Sequence, residues 1–205
     1  MKKIFKSGGM TALNAVLRSL PQSTEQIMHP DAYFAGDKPE KISFTVPESI
    51  RGAYRVAVED VMGEFSIKAW FEQFMDPNDA SVAAAGWEGD WFVFLWPSDK
   101  KVGKDFLGRG VFIMVSRWEP GKKGNSPDAE ECAAALEKIA EARWKPEKIA
   151  PKEPKEGMKL YKNLVGEWII IRRVGGSVLY IEGLPANLYT EPEKLAGDLL
   201  PDKNP

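Results

Sequence analysis

Four nearly unbroken apolar runs of strand length are the strongest pattern in the chain. They cover residues 91–96, 111–116, 167–174 and 178–183. The runs are rich in aromatic and β-branched side chains, which is typical of strands that are covered on both faces or nearly so. Gly175-Gly176 separates the last two runs and predicts a tight turn. We therefore predict two β-hairpins, one from each pair of runs.

Apolar residues at helical spacing occupy much of the remaining sequence. Ser23 before Thr24 and Asp76 before Pro77 are typical helix starts, because the Ser or Asp side chain accepts hydrogen bonds from the first turn. Further helices are predicted over residues 10–20, 64–74, 126–143 and 191–200, and a short strand over residues 42–46. The order strand, strand, helix occurs twice, which predicts an α+β fold with a curved antiparallel sheet and helices packed on one face.

The bulk composition is that of an ordinary globular protein. Of the 205 residues, 43% are hydrophobic and 28% are charged, and this balance is unlike that of disordered or membrane-embedded chains. Residues 1–205 are therefore predicted to form a single α+β domain. Residues 145–159 contain three prolines and eight charged side chains, so we predict a charged, Pro-rich linker or surface excursion within that domain.

The charge balance and the hydropathy of the chain limit its partners and its location. The formal net charge is −2 and the pI is about 5.7, so the chain has no excess of positive charge for nucleic acid. No stretch approaches the roughly 20 apolar residues of a membrane span. Lys6 and Gly8-Gly9 interrupt the start of the chain where a secretory signal needs an apolar core. As the chain stands, a cytoplasmic location is expected.

The chain has one histidine and one cysteine, and this scarcity excludes several kinds of site. A single copy cannot form a zinc helix with two histidine ligands, a cysteine cluster or an internal disulfide. Cys132 lies in an Ala-rich helical segment with acidic neighbours. Acidic neighbours do not activate a thiol, so we expect a small buried side chain and no nucleophile there. No cofactor motif is present either, and no cofactor is expected.

His29 and Glu25 are the first candidates for chemistry. They are four positions apart, so a helix would place them on the same face. One interpretation makes them an acid–base pair or half of a metal site. The alternative, which we favour, is structural: Glu25 stabilises a helix N-terminus, and His29 ends that helix before Pro30.

Asp90 is the second candidate, in the segment Gly86-Trp87-Glu88-Gly89-Asp90. We favour a structural turn in which the Asp90 side chain accepts hydrogen bonds from backbone amides. The catalytic alternative pairs Asp90 with Glu64 or Glu88 as two carboxylates for glycoside hydrolysis, which needs a defined separation between them.

Tryptophan and arginine supply two weaker signals. Most of the seven tryptophans are expected in the core, with one or two left to line a pocket. They are Trp70, Trp87, Trp91, Trp96, Trp118, Trp144 and Trp168. Arg172-Arg173 is weak evidence for an anion site, and a solvated sheet edge is expected there instead.

Several segments taken together resemble the C-terminal region of a family of uncharacterised bacterial, gluzincin-like metallopeptidases. The most specific are Ser-Thr-Glu-Gln-Ile-x-His-Pro at residues 23–30 and Gly-Trp-x-Gly-Asp at residues 86–90, and Arg172-Arg173-Val174-Gly175-Gly176 adds to them. The resemblance implies a His-Glu-x-x-His zinc helix upstream of residue 23, and this chain contains none. The chain is then the C-terminal part of a longer exported protein, or a copy without the catalytic half, and no zinc ligand carries over.

The sequence thus favours a non-catalytic binding or interaction module, the accessory part of a metallopeptidase-like protein, whose partner is an unknown protein or a small-molecule ligand. The first alternative is a carboxylate-dependent hydrolase that acts on a saccharide. The second is a structural or assembly protein. On the first interpretation no catalytic, cofactor-binding or metal-ligating residue is assigned.

Overall fold

A computed structural model describes residues 2–98, 110–119, 127–152 and 155–201, which form eight helices and seven strands. The helices are α1 (Lys2–Arg18), α2 (Thr24–Met28), α3 (Pro30–Ala35), α4 (Glu48–Arg51), α5 (Gly63–Phe71), α6 (Pro77–Ala84), α7 (Pro127–Trp144) and α8 (Pro192–Leu199). The strands are β1 (Tyr54–Asp60), β2 (Trp87–Pro97), β3 (Val111–Trp118), β4 (Glu147–Ile149), β5 (Met158–Lys162), β6 (Glu167–Val174) and β7 (Ser177–Pro185). Helix α1 is interrupted by non-helical backbone at Gly8 and Gly9.

All seven strands form one open antiparallel sheet in the order β1-β2-β3-β7-β6-β5-β4. The four predicted strands are confirmed as β2, β3, β6 and β7, and each predicted hairpin is present as a pair of adjacent strands. Strand β3 pairs with β7, for example Ile113 with Ile181, and this pairing joins the two hairpins in a single sheet. The predicted α+β class with a curved antiparallel sheet is confirmed.

The helices cover both faces of the sheet, whereas the sequence analysis had placed them on one face. On one face, α5, α6 and α7 pack against Met114, Ile171 and Tyr180. On the other face, α4 and α8 pack against residues such as Ile113 and Leu179. The reason is visible in the strands themselves: β3 and β7 are apolar at consecutive positions, so both of their faces need cover.

Three strands, β1, β4 and β5, were not predicted from the sequence because they lie toward the edges of the sheet. Strand β1 is exposed along most of its length, and its composition lacks a continuous apolar run. Strand β4 and the first residues of β5 come from residues 145–159, the predicted linker or surface excursion. The predicted strand over residues 42–46 was wrong. That segment forms no ladder, and its apolar side chains Ile42, Phe44 and Val46 pack against the α4 and α8 side of the core.

The two predicted helix starts are confirmed. Ser23 Oγ accepts a hydrogen bond from Gln26 N at 3.2 Å, and Asp76 Oδ1 accepts one from Asn78 N at 2.8 Å. Each cap satisfies a backbone donor that the helix itself leaves without an acceptor. In the described part of the chain, no helix is both long and apolar enough to cross a membrane.

Candidate functional site

A cleft of about 810 Å³ lies beside the first half of β2. Strand β1 pairs with β2 only from Phe92 onward, so the stretch Trp87–Trp91 has no neighbouring strand on that side within the described residues. The cleft occupies this gap. Its lining residues are Gln22, Ser23, Thr24, Lys38, Pro39, Glu40, Lys41, Ile42, Ser43, Val61, Met62, Gly63, Trp87, Asp90 and Trp91.

Asp90 of β2 holds the start of α5 at the floor of the cleft. The residue is only 1% exposed, and its carboxylate accepts hydrogen bonds from Met62 N and Gly63 N, each at 2.8 Å, and from Trp87 Nε1 at 2.9 Å. Burial raises the pKa of the Asp90 carboxyl, and these three hydrogen bonds partly offset the shift. Asp90 is therefore a cap supplied by a distant strand, as the structural alternative predicted, although the amides belong to α5 and not to its own turn.

Thr24 supplies a second distant contact to the same helix start. Its Oγ1 atom accepts a hydrogen bond from Phe65 N at 3.3 Å. Gly63 lies directly beneath it with φ +75°, and a Cβ atom at this position would lie 2.6 Å from Thr24 Oγ1. Only glycine tolerates both the left-handed backbone and this close approach. The contact between α2 and α5 is thus built on Gly63.

The outer wall of the cleft is the segment 38–43. Glu40 N donates a hydrogen bond to Glu88 O of β2 at 2.6 Å. At Gly89 the backbone of Glu40 comes so close that a Cβ atom would overlap its carbonyl oxygen. The Glu40 side chain pairs with Arg117 of β3, with 3.4 Å between Oε2 and Nε. These contacts hold the segment against β2 without making it a strand.

The rim of the cleft carries positive charge. Lys38 and Lys41 are exposed at its edge, and neither forms an ion pair with any residue in the described ranges. The one rim carboxylate, Glu40, already has Arg117 as its counter-ion. The walls below the rim include Ile42, Met62 and Trp91. An apolar cavity with two unpaired cations at its mouth is suited to an apolar ligand with an acidic group.

Next to the cleft, the structure brings together Glu25, His29 and Glu64. His29 Nε2 lies 2.7 Å from Glu64 Oε1. Glu64 is only 1% exposed, while the imidazole is half-exposed. The hydrogen bond orients the ring and leaves its other nitrogen, Nδ1, on the opposite side. Helix α2 carries Glu25 and leads directly into His29, while α5 carries Glu64, so the packing of α2 on α5 assembles the group.

Negative charge is crowded in this group. Burial, and then the nearby carboxylates of Glu64 and Glu119, raise the pKa of the Glu25 carboxyl to about 7, and His29 acts in the opposite direction. The second oxygen of Glu64, Oε2, is buried and has no hydrogen-bond donor within the described residues. A carboxyl group that titrates near neutral pH beside an oriented imidazole can exchange protons.

The other predicted candidates lie elsewhere or are already engaged. Glu88 lies on β2 next to the cleft residue Trp87, and burial together with the nearby Glu40 carboxylate raises the pKa of the Glu88 carboxyl. Cys132 is buried in the core as expected, and burial raises the pKa of its thiol. Among the parts of the chain that the structure describes, no group of three or more His, Cys, Asp and Glu side chains is arranged to hold a metal ion.

More tryptophans line pockets than the one or two expected, since Trp96 and Trp144 also line a pocket. Trp87 and Trp118 are fully buried, and Trp87 and Trp91 contribute to the cleft. The expectation of a solvated edge at Arg172 was wrong. Strand β6 lies between β5 and β7, and Arg172 is fully buried.

Lys38, Lys41 and Met62 were not identified as site residues from the sequence. Their segments contain no motif, and nothing in the sequence distinguishes the two lysines from ordinary surface charges. The one available signal was the pair of glycines on either side of Trp87-Glu88, because Gly89 marks the close approach of another segment.

Residues 50–187 match a family described as a domain of unknown function, DUF8575. The match covers more than half of the chain, so the chain belongs to this family. No curated protein and no solved structure matches the chain significantly. The first part of the chain, including α2 and the segment 38–43, precedes the matched region.

Proposed function

We propose that this member of the DUF8575 family is a binding module whose cleft takes a small organic acid. The observation that carries the proposal is the cleft of about 810 Å³, which combines apolar walls with a lysine rim. Small-molecule sites are concave and mostly apolar, and a few charged groups fix the orientation of the ligand. The cleft has both features.

Two parts of the ligand follow from the lining. Ile42, Met62 and Trp91 favour an apolar or aromatic body, because they offer a hydrophobic surface that a polar ligand would leave poorly solvated. Lys38 and Lys41 favour an anionic group at the mouth of the cleft, where a carboxylate or sulfonate would gain charge-assisted hydrogen bonds. The Asp90 carboxylate lies at the floor of the cleft, and its three hydrogen-bond donors partly offset its negative charge.

A pair of fluorescent probes tests the proposal. The anion 8-anilinonaphthalene-1-sulfonate and the neutral N-phenyl-1-naphthylamine share their ring system and differ by the sulfonate. We expect saturable binding of one sulfonate probe per chain, at least about tenfold tighter than binding of the neutral probe, since one charge-assisted contact contributes about 1.5 kcal/mol or more. The double variant Lys38→Gln/Lys41→Gln should remove this preference, and Trp91→Ala should weaken both probes.

The matched control removes two exposed lysines that do not line the cleft, in the variant Lys148→Gln/Lys194→Gln. It has the same net charge as the rim variant and should bind the sulfonate probe as the natural protein does. Equal affinity of the rim variant and the control would contradict the proposal. So would binding of several probe molecules per chain with no saturation.

A second candidate function, an acid–base hydrolase, is favoured by the 2.7 Å contact between His29 Nε2 and the buried Glu64. In this role His29 would accept a proton from an attacking water, as an oriented imidazole can. The assay is hydrolysis of p-nitrophenyl acetate and p-nitrophenyl glycosides over pH 5–9. Activity that disappears in His29→Gln but persists in Glu88→Gln would support this candidate, and equal rates in both variants would dismiss it.

The role of accessory part in a metallopeptidase-like protein is likewise a proposal, supported by the sequence elements at residues 23–30 and 86–90. It predicts that the purified chain binds no stoichiometric zinc, because the described residues contain no group of three or more His, Cys, Asp and Glu side chains arranged to hold a metal ion. Elemental analysis checks this. One zinc per chain that is lost in His29→Gln would contradict it.

A further inference from the structure

A second pocket, of about 340 Å³, lies at the far end of β2. We call it the aromatic pocket. Its side-chain lining is Phe94, Trp96, Arg143, Trp144, Glu167 and Glu182. These residues come from the end of β2, the end of α7, the start of β6 and the end of β7. The pocket shares no residue with the cleft.

The two carboxylates of the pocket differ in how they are compensated. Glu182 Oε2 accepts hydrogen bonds from Arg143 Nη1 at 3.0 Å and from Tyr180 Oη at 2.6 Å, so Arg143 and Glu182 form a neutral pair. Glu167 is only 2% exposed, and its Oε2 accepts one hydrogen bond, from Asn163 Nδ2 at 2.8 Å. Within the described ranges, Glu167 has no cationic partner.

A buried carboxylate without a counter-ion is costly, since burial removes its hydration without replacing it. The described residues therefore present a negative charge in a pocket to which they contribute no matching positive charge. A ligand with a positive charge would supply it. A neutral or anionic ligand would leave the Glu167 carboxylate uncompensated.

The aromatic side chains favour the same kind of ligand. Trp96 is 41% exposed, and its ring centroid lies 6.1 Å from that of Phe94. Aromatic faces carry a negative quadrupole and attract organic cations. Trp144 already demonstrates this, because the Arg143 guanidinium lies over its ring at 4.9 Å. The rings of Phe94 and Trp96 hold no such cation among the described residues.

We propose that the aromatic pocket binds an organic ammonium ion, with Phe94 and Trp96 against its alkyl groups and Glu167 as its counter-ion. This site is independent of the proposed function of the cleft, because the two share no lining residue. The pair Arg143–Glu182 remains intact and forms the outer wall.

The experiment uses choline and its neutral isostere, 3,3-dimethyl-1-butanol, which differ in charge and scarcely in shape. Binding to the full chain is measured by NMR from the chemical shifts of the tryptophan indole N–H groups. We expect choline to bind at least tenfold more tightly than the alcohol. Glu167→Gln should lower choline affinity about tenfold, and Trp96→Leu should do the same through loss of an aromatic face.

Glu147→Gln is the matched control, because it removes an exposed carboxylate on β4 and has the same net charge as Glu167→Gln. It should bind choline with unchanged affinity. Glu167 is buried, so its variant has to be shown to fold; if it does not, Trp96→Leu decides, because that ring is partly exposed. Equal affinity for choline and the alcohol, absence of choline binding, or unchanged choline affinity in Trp96→Leu would overturn the proposal.

Discussion

The cleft and the aromatic pocket lie at opposite ends of β2, about 20 Å apart along the strand, but they are built in different ways. The cleft forms where segments that precede the matched family region, residues 22–24 and 38–43, pack against β2 and the start of α5. All residues of the aromatic pocket lie within residues 94–183, inside the matched region.

The two sites depend on different kinds of contact. The cleft depends on a few long-range capping contacts, mainly those of Asp90 and Thr24 with the start of α5. The aromatic pocket depends on strand register and on the end of α7. The two sites also differ in the sign of their charge: among the described residues, the cleft has unpaired lysines at its rim, and the aromatic pocket contains a glutamate without a counter-ion. Substitutions in the capping contacts should therefore damage one site and spare the other.

Asp90→Ala should produce the largest effect. It removes three hydrogen bonds from a buried site and leaves two helix amides and the Trp87 indole without an acceptor, which costs about 3 kcal/mol of unfolding free energy. Urea unfolding measures this cost. Among the folded molecules, binding of the sulfonate probe to the cleft should be lost, and choline binding to the aromatic pocket should remain.

Asp60→Ala is the control for this variant, because Asp60 is exposed and, among the described residues, its side chain accepts a hydrogen bond only from the neighbouring Val61 N. We expect it to cost no more than about 0.5 kcal/mol. Similar costs for the two variants would show that the Asp90 cap does not hold the cleft together.

Gly63→Ala should come second, with a loss of about 2 kcal/mol, because the new Cβ meets Thr24 Oγ1 in a backbone that already disfavours alanine. Gly166→Ala is matched, since Gly166 also has a positive φ, +81°, but no atom within 4 Å of the added Cβ. It should cost about 1 kcal/mol from backbone strain alone. The difference in unfolding free energy between Gly63→Ala and Gly166→Ala, from thermal or urea unfolding, measures the contact between α2 and α5. If the two variants lose the same free energy, the contact of residue 63 with Thr24 does not stabilise the cleft.

Glu25→Gln should change the pH dependence of stability. The pKa of Glu25 is raised from 4.5 to about 7 in the folded chain, so the folded chain binds this proton more tightly than the unfolded chain does. The resulting stabilisation of the fold is fully present below pH 4.5 and is lost as the pH rises through 7. The glutamine variant mimics the protonated form. It should match the natural protein at pH 4.5 and be more stable by about 1 kcal/mol at pH 8, a value reduced for the partial exposure of Glu25.

Urea midpoints from pH 4.5 to 8 test this prediction, with Glu48→Gln, an exposed glutamate outside the group, as the control. If the stability of Glu25→Gln has the same pH dependence as that of the natural protein, the Glu64 carboxylate does not raise the pKa of Glu25. The choline affinity of the aromatic pocket should not differ between the two variants.

Arg143→Gln should have the smallest effect on stability, about 0.5 kcal/mol, because the ion pair with Glu182 is partly exposed. Its effect on binding should be opposite in sign to that of Glu167→Gln. Without the guanidinium, the aromatic pocket holds two uncompensated carboxylates, and choline should bind several-fold more tightly. A titration monitored by NMR checks this, and weaker choline binding would mean that Arg143 contacts the ligand.

Local patterns were the reliable part of the sequence analysis. The caps at Ser23 and Asp76 depend on atoms within three residues, and the strands β2, β3, β6 and β7 show their apolar runs directly. Strand β1 and residues 42–46 were misjudged because an edge strand and a packed extended segment have similar compositions. What separates them is the presence of a hydrogen-bonded neighbour, which is a tertiary property.

The candidate site illustrates the same limit. Glu25, His29, Glu64 and Asp90 were each identified from their neighbours in sequence. For Asp90 the favoured interpretation was a structural turn, and a carboxylate pair with Glu64 or Glu88 was the alternative. In the structure Asp90 accepts hydrogen bonds from backbone amides, but these amides belong to the start of α5, and Glu64 contacts His29, 35 positions away. No periodicity encodes a contact of that range between α2 and α5.

The α+β class, the four central strands, the main helix starts and the limits that a single histidine and a single cysteine place on the chemistry could all be predicted from the chain alone. Short-range hydrogen bonds and hydrophobic periodicity are written in neighbouring residues, and this is why they can be read from the chain. Three features depend on tertiary packing: helices cover both faces of the sheet, the lysines of segment 38–43 face an apolar cleft, and Glu167 is buried with no cationic partner among the described residues. Each of these depends on which distant surfaces meet, and the free energy that selects those meetings comes from the packing of the whole sheet.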